Sequence, residues 1–234
     1  MTKSVKTETA PAQIRADALQ LSNQKVGNMT AQIVKAFTAR DKFEAANGVD
    51  ITANNSYTRE RDRMLREKQS VARLFTVLGV TASNVINRKV SANAMFNAKA
   101  LKKVTEIACF VTGNAQDKRN LSLEKVTQAF IACALIASDN KMTVIQNPVN
   151  KRFLSATNLD AYIADETLRN SLADMRHKAM TEGRDTQSSQ ARNVLDVLGL
   201  GTISSVDKHR DAITLASGHA FFDLFKGRYM TKAA

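Results

Sequence analysis

KQSVARLFTVLGVTASNVINRKVSANAMFNAKALKKVT, residues 68–105, contains no Asp or Glu, yet carries Lys68, Arg73, Arg88, Lys89, Lys99, Lys102 and Lys103. A surface sequence normally mixes both signs, which avoids a large one-sided field. The uncompensated +7 of this stretch is more than half of the formal net charge of +12. Its apolar residues are as informative as its cations. Val71, Phe75 and Leu78 continue a stripe begun by Met64, and Leu101, Val104, Ala108 and Val111 make a second. Both stripes have the spacing of one helical face. Glycines at 79 and 113 stand where such helices would stop.

Composition supports the same reading. The 234 residues include nine Gly and two Pro, with 44% hydrophobic and 24% charged residues. So few breakers favour helices over a turn-rich β fold. The expected fold is all-α, with about 8–10 helices and a short β hairpin or wing near 141–150. A chain of this length buries about 70% of the surface it would expose unfolded, so it needs no disulfide or metal to fold. Cys109 and Cys133 fall on apolar helical faces and read as buried free thiols, which fits a reducing compartment. No apolar run is long enough for a membrane span, and no signal-peptide core is present. The expectation is a soluble protein of the cytoplasm, in a cell or a virus-infected cell.

Working outward, residues 1–10 read as a basic tail, and 11–113 as an N-terminal helical half. Residues 114–121 read as a polar connection, and 122–234 as a C-terminal helical half. Two helices are predicted near 11–25 and 29–46, broken at Gly27-Asn28. Val49 and Ile51 predict a short strand. Thr58 is read as the cap of one long helix to Leu78. Arg59, Arg63, Arg66 and Arg73 fall within about 80° of one another on its polar side. Asp62–Arg66 and Arg63–Glu67 are available there as intrahelical ion pairs. A short helix is predicted over 82–88. Ser91 is read as the cap of a helix to Thr112, with Lys99, Lys102 and Lys103 on its outer side. Further helices are predicted at 122–137, 158–181, 187–199 and 205–226. Residues 142–145, Met-Thr-Val-Ile, are read as a short strand, and Lys151, Arg152 and Phe153 as a basic-aromatic corner. VLGVTASNVINRK (77–89) aligns with VLGLGTISSVDKHR (197–210) across one gap at Gly201.

The ordinary catalytic signatures are missing: no GxxxxGK[ST], GxGxxG after a strand, HExxH, CxxC or GxSxG. His209 and His219 lie ten apart, which is not a single-face metal-ligand spacing, and these and His177, the only other histidine, read as structural. No catalytic residue, metal or cofactor is therefore expected. QSVARLFTVLGVTASNVINR (69–88) is similar in rhythm to a helix-turn-helix reader, but Ala72 and Gly79 lie seven apart where that motif places them four apart.

Cations hold phosphate, amides read base edges, and exposed rings stack on bases. The residues expected to bind nucleic acid are Arg59, Arg63, Arg66, Arg73, Asn84, Asn87, Arg88, Lys89, Phe96, Lys99, Lys102 and Lys103, with Lys151, Arg152 and Phe153. The expected function is a non-enzymatic cofactor or regulator of transcription or replication that binds DNA. Single-stranded DNA is favoured because Phe96 and Phe153 sit beside cations. The alternatives are a duplex-DNA regulator of helix-turn-helix type, and an assembly subunit whose basic face meets an acidic protein. Phe221, Phe222 and Phe225 suggest a homo-oligomer contact, and a polymerase is one expected protein partner.

Overall fold

Ile33, Ala36, Phe37 and Arg40 share one helical face, and all four are buried on α1 (Asn23–Ala46). The computed structural model to which α1 belongs describes residues 23–91, 94–121, 123, 144–145, 190, 193–205 and 211–215. The expected break at Gly27-Asn28 does not occur. A Cβ at Gly27 would meet nothing within 4 Å. Glycine costs an exposed helix only about 1 kcal/mol relative to Ala, and burial of Val26 and Ile33 on either side offsets it.

The strand expected at Val49–Ile51 is a turn. The Asp50 carboxylate accepts the N–H groups of Thr52 (2.8 Å) and Ala53 (3.2 Å), which takes the donors that a ladder would use. α2 (Ser56–Arg66) starts at Asn55, not Thr58. Asn55 Oδ1 accepts the Thr58 N–H, while Thr58 Oγ1 accepts the Asn55 N–H, each at 3.0 Å. This reciprocal box satisfies two donors at once.

The single long helix expected over 58–78 is two helices, α2 and α3 (Lys68–Leu78), parted at Glu67. The Glu67 carboxylate is buried and engaged elsewhere. It accepts the N–H groups of Gln116 and Asp117, both at 2.8 Å, and Asn120 Nδ2 at 3.0 Å. It thereby holds the 3-10 turn Lys118–Leu121 beside α5 (Ala98–Thr112).

α4 (Ala82–Ile86) follows α3 through the Gly79 turn. The helix expected from Ser91 is preceded by an antiparallel hairpin, β1 (Lys89–Ser91) and β2 (Ala94–Met95). The cap is Asn97, whose side chain accepts the Lys99 N–H at 2.8 Å. Phe96 donates its N–H to the Arg88 carbonyl at 2.7 Å, closing the base of the hairpin.

α1 packs on α3 and α4, and α2 and α3 both pack on α5. From Lys103 to Thr112 α5 is buried on every side. Its IACFV run, apolar all round, suits that position. The Thr105 and Thr112 hydroxyls donate back to the carbonyls of Leu101 and Ala108, so both can be buried. Val194, Leu195, Val197, Leu198 and Leu200 join the same apolar cluster as Phe37, Phe75, Val85 and Leu101.

A three-stranded antiparallel sheet has the order β3 (Val144–Ile145), β5 (Asp211–Leu215), β4 (Gly201–Ser205). The strand expected over 142–145 is present at Val144–Ile145, and 142–143 lie outside the described residues. Its neighbour is β5, with Val144 opposite Ile213, not a local hairpin partner. The helix expected over 205–226 is corrected at 211–215, where the β-branched Ile213 and Thr214 lie in a strand. The fold is nonetheless mainly helical. The expected tail at 1–10, the helices over 122–137 and 158–181, Cys133, the three histidines and the 221–225 aromatics lie outside the described residues.

Candidate nucleic-acid interface

Glu67 and Glu106, which bound the basic stretch, turn inward, as does Glu60 on α2. Glu60, Glu67 and Glu106 are 8%, 3% and 5% exposed, while Arg59, Arg66, Arg88, Lys89 and Lys99 are exposed. These three carboxylates are thus inside while five cations near them in sequence or fold are at the surface. Glu67 clasps the 116–120 loop through the three bonds to Gln116, Asp117 and Asn120. Glu106 meets Arg63 Nη1 at 3.2 Å and Lys102 Nζ at 3.5 Å, and Glu60 meets Arg63 Nε at 3.3 Å. The intrahelical pairs available at Asp62–Arg66 and Arg63–Glu67, the alternative to a binding role, are not those formed. Asp62 pairs with Arg61 at 2.9 Å, and Arg63 reaches across to α5.

The hairpin sets Arg88 and Lys89 beside 95–96, a few residues before Lys99. Arg88 and Lys89 enter the hairpin, and Lys99 lies in the first turn of α5 just beyond it. Lys89 Nζ stands 5.7 Å over the Phe43 ring. Arg88 Nη2 meets Asp196 Oδ2 at 2.6 Å. Arg59 and Arg66, seven apart, occupy one exposed face of α2. Asn84 is exposed on α4, and Asn87 is half-buried with Nδ2 3.4 Å from Ser83 Oγ.

Other expected site residues are withdrawn from the surface. Lys103 is 2% exposed within the packing of α5, so the outer lysine face is confined to Lys99 and the half-buried Lys102. Phe96 is 3% exposed and belongs to the core, so its ring cannot stack on a base. Arg63 and Arg73 are half-buried. Lys151, Arg152 and Phe153 lie outside the described residues. α3, the Gly79 turn and α4 reproduce the rhythm of a helix-turn-helix. α4, however, has five residues, about 7.5 Å of helix, too short to lie along a major groove.

The surface rests on a buried support that the charge pattern did not disclose. Arg40, 2% exposed, donates from Nη1 to the Ile86 carbonyl (2.7 Å), from Nη2 to the Phe96 carbonyl (2.6 Å) and from Nε to Glu44 (3.0 Å). One guanidinium therefore fixes the end of α4 and the exit of the hairpin. Its signal was an arginine within the 33–36–37–40 apolar stripe. The Arg40 and Arg61 guanidiniums stand 5.2 and 5.9 Å from the centre of the Tyr57 ring, and the Tyr57 hydroxyl donates to Asp41 at 2.6 Å. Burial, then the Asp41 bond, push its phenol well above the ordinary range. Cys109 is a buried free thiol, held high by burial and by nearby Glu67.

No helix among the described residues is long and apolar enough to cross a membrane. No protein-family model, curated protein or solved structure matches the chain.

Proposed function

We propose that the protein binds nucleic acid, with DNA as its ligand, through the phosphate backbone. It would act as a non-enzymatic cofactor or regulator of transcription or replication in the cytoplasm. The supporting observation is the segregation of charge: Glu60, Glu67 and Glu106 are buried, while Arg88, Lys89 and Lys99 stand exposed around the hairpin base. Arg59 and Arg66 extend the surface. Burial of Phe96 removes one of the two rings that favoured a single strand. Single and duplex DNA are therefore compared directly in the test.

The experiment is fluorescence anisotropy with labelled single-stranded DNA, duplex DNA and RNA, with heparin as competitor, across a salt series. Three to five phosphate contacts on a single strand give a slope of log affinity against log salt between roughly −2 and −3.5. Lys89→Gln with Lys99→Gln should flatten that slope by about 1.4, while Lys25→Gln with Lys35→Gln on α1 should leave it unchanged. A slope near zero, or equal loss with the α1 pair, would move the reading to an acidic protein partner such as a polymerase subunit. Homo-oligomerisation is a separate proposal, read by sedimentation of the full chain.

A further inference from the structure

The only acid that an ion pair brings to Arg88 among the described residues is Asp196, 108 positions away. No acid lies between Glu67 and Glu106 in the sequence, so tertiary structure imports one to the basic stretch. Asp196 is held firmly there. Its neighbours Val194, Leu195 and Val197 are buried, and its carbonyl accepts the Gly199 N–H at 2.9 Å. The Arg88 side chain is 47% exposed and that of Asp196 is 23% exposed, so the pair sits at the rim and not in the core. A carboxylate and a phosphate oxygen compete for the same guanidinium donors.

We infer that Asp196 is a competitor built into the basic surface, occupying the Arg88 guanidinium that a nucleic-acid phosphate would otherwise take, and so lowering the affinity of that surface. This rests on the nucleic-acid reading of the interface. When the polyanion docks, Arg88 must give up the carboxylate before it can take a phosphate, and that exchange is what lowers the affinity. An exposed ion pair holds its arginine by a factor of roughly two to five.

The test uses the full chain with a fluorescein-labelled single strand and its duplex. Asp196→Asn should bind roughly two- to fivefold tighter at low salt. Its salt slope should stay close to that of wild type, because Arg88 meets a phosphate in both complexes. Arg88→Gln/Asp196→Asn should match Arg88→Gln alone, because the gain acts through Arg88. Asp196→Ser is the second variant, and circular dichroism and thermal melts accompany both. Unchanged or weaker binding by folded Asp196→Asn, with wild type binding normally, overturns this inference and leaves the interface standing. Absence of binding by wild type and variant alike overturns both. Loss of fold in both Asp196 variants makes the residue a structural partner and also overturns the inference.

Discussion

Val77-Leu78-Gly79-Val80 and Val197-Leu198-Gly199-Leu200 end two helical segments with the same pair of backbone bonds. Gly79 donates to Thr76 and Val80 to Phe75, at 3.3 and 3.1 Å; Gly199 donates to Asp196 and Leu200 to Leu195, both at 2.9 Å. Both glycines are left-handed, with φ of 67° and 70°. This is the Schellman arrangement, with an apolar residue on either side of the turn. The two turns also lie close together, since a Cβ on Gly199 would stand 3.7 Å from Val80 Cγ1. Beyond the glycine they part. Thr81 caps α4, its Oγ1 accepting the Asn84 N–H at 3.2 Å, whereas Gly201–Ser205 is a strand. Thr202 stands in the alignment where Thr81 does, so a capping residue was available in both. The second segment instead pairs along its length with β5, from Gly201 opposite Leu215 to Ser205 opposite Asp211. A glycine turn is a local object, and the element that comes after it depends on the partner that the rest of the chain provides.

The largest expected effect removes the partner of the first segment. Arg40→Leu leaves the carbonyls of Ile86 and Phe96 unmet and Glu44 without its cation. Breaking a buried ionic contact in this way costs roughly 3–5 kcal/mol, read by urea unfolding. Amide exchange should accelerate over 82–96 before it does over 201–205. Equal acceleration in both would mean that the two turns share one support.

Next come the glycines themselves. Gly79→Ala and Gly199→Ala each force a left-handed Ala, at about 1–2 kcal/mol. The costs should match, because the added methyl meets Val80 only at ordinary van der Waals distance. A much larger loss at Gly199 would show that the contact between the turns is tighter than the caps.

A smaller effect separates cap from partner. Thr81→Ala should cost about 1 kcal/mol by thermal melt, since α4 depends on its cap. Thr202→Ala, in a strand held by its ladder, should lose no cap energy. A full capping penalty at Thr202 would erase the distinction between the two segments.

The smallest effect is a baseline away from both turns. The Arg119 guanidinium beside Asp117 holds its carboxyl down at about 2, against an ordinary 3.8. Because the folded value is lower, the contribution of this pair is present above about pH 4 and disappears as pH falls through about 2. Asp117→Asn should therefore be slightly less stable than wild type at pH 5, with the two proteins converging as pH falls to about 2. Persistence of a difference at pH 2 would trace it to the backbone turn at Arg119 instead of the charge.

Among the described residues, most helices were legible because an apolar stripe and a glycine stop are local signals. Met64, Val71, Phe75 and Leu78 are buried as their spacing implied, and Gly113, like Gly79, is a left-handed cap. Boundaries were less legible where two capping residues competed, as with Ser91 and Asn97, or Thr58 and Asn55. The candidate site was legible as a charge deficit but not as a set of side chains. Lys103 and Phe96 carried the right chemistry on the wrong side of the packing.

By itself, the sequence determined a mainly helical chain with an acid-free basic stretch, because composition, stripe period and charge count are properties of residue order. Only the tertiary structure decided that Glu67 and Glu106 face inward, that Arg40 supports the hairpin base, and that Asp196 meets Arg88. Each of those contacts joins residues far apart in the chain, and neither propensity nor periodicity carries information about such a partner.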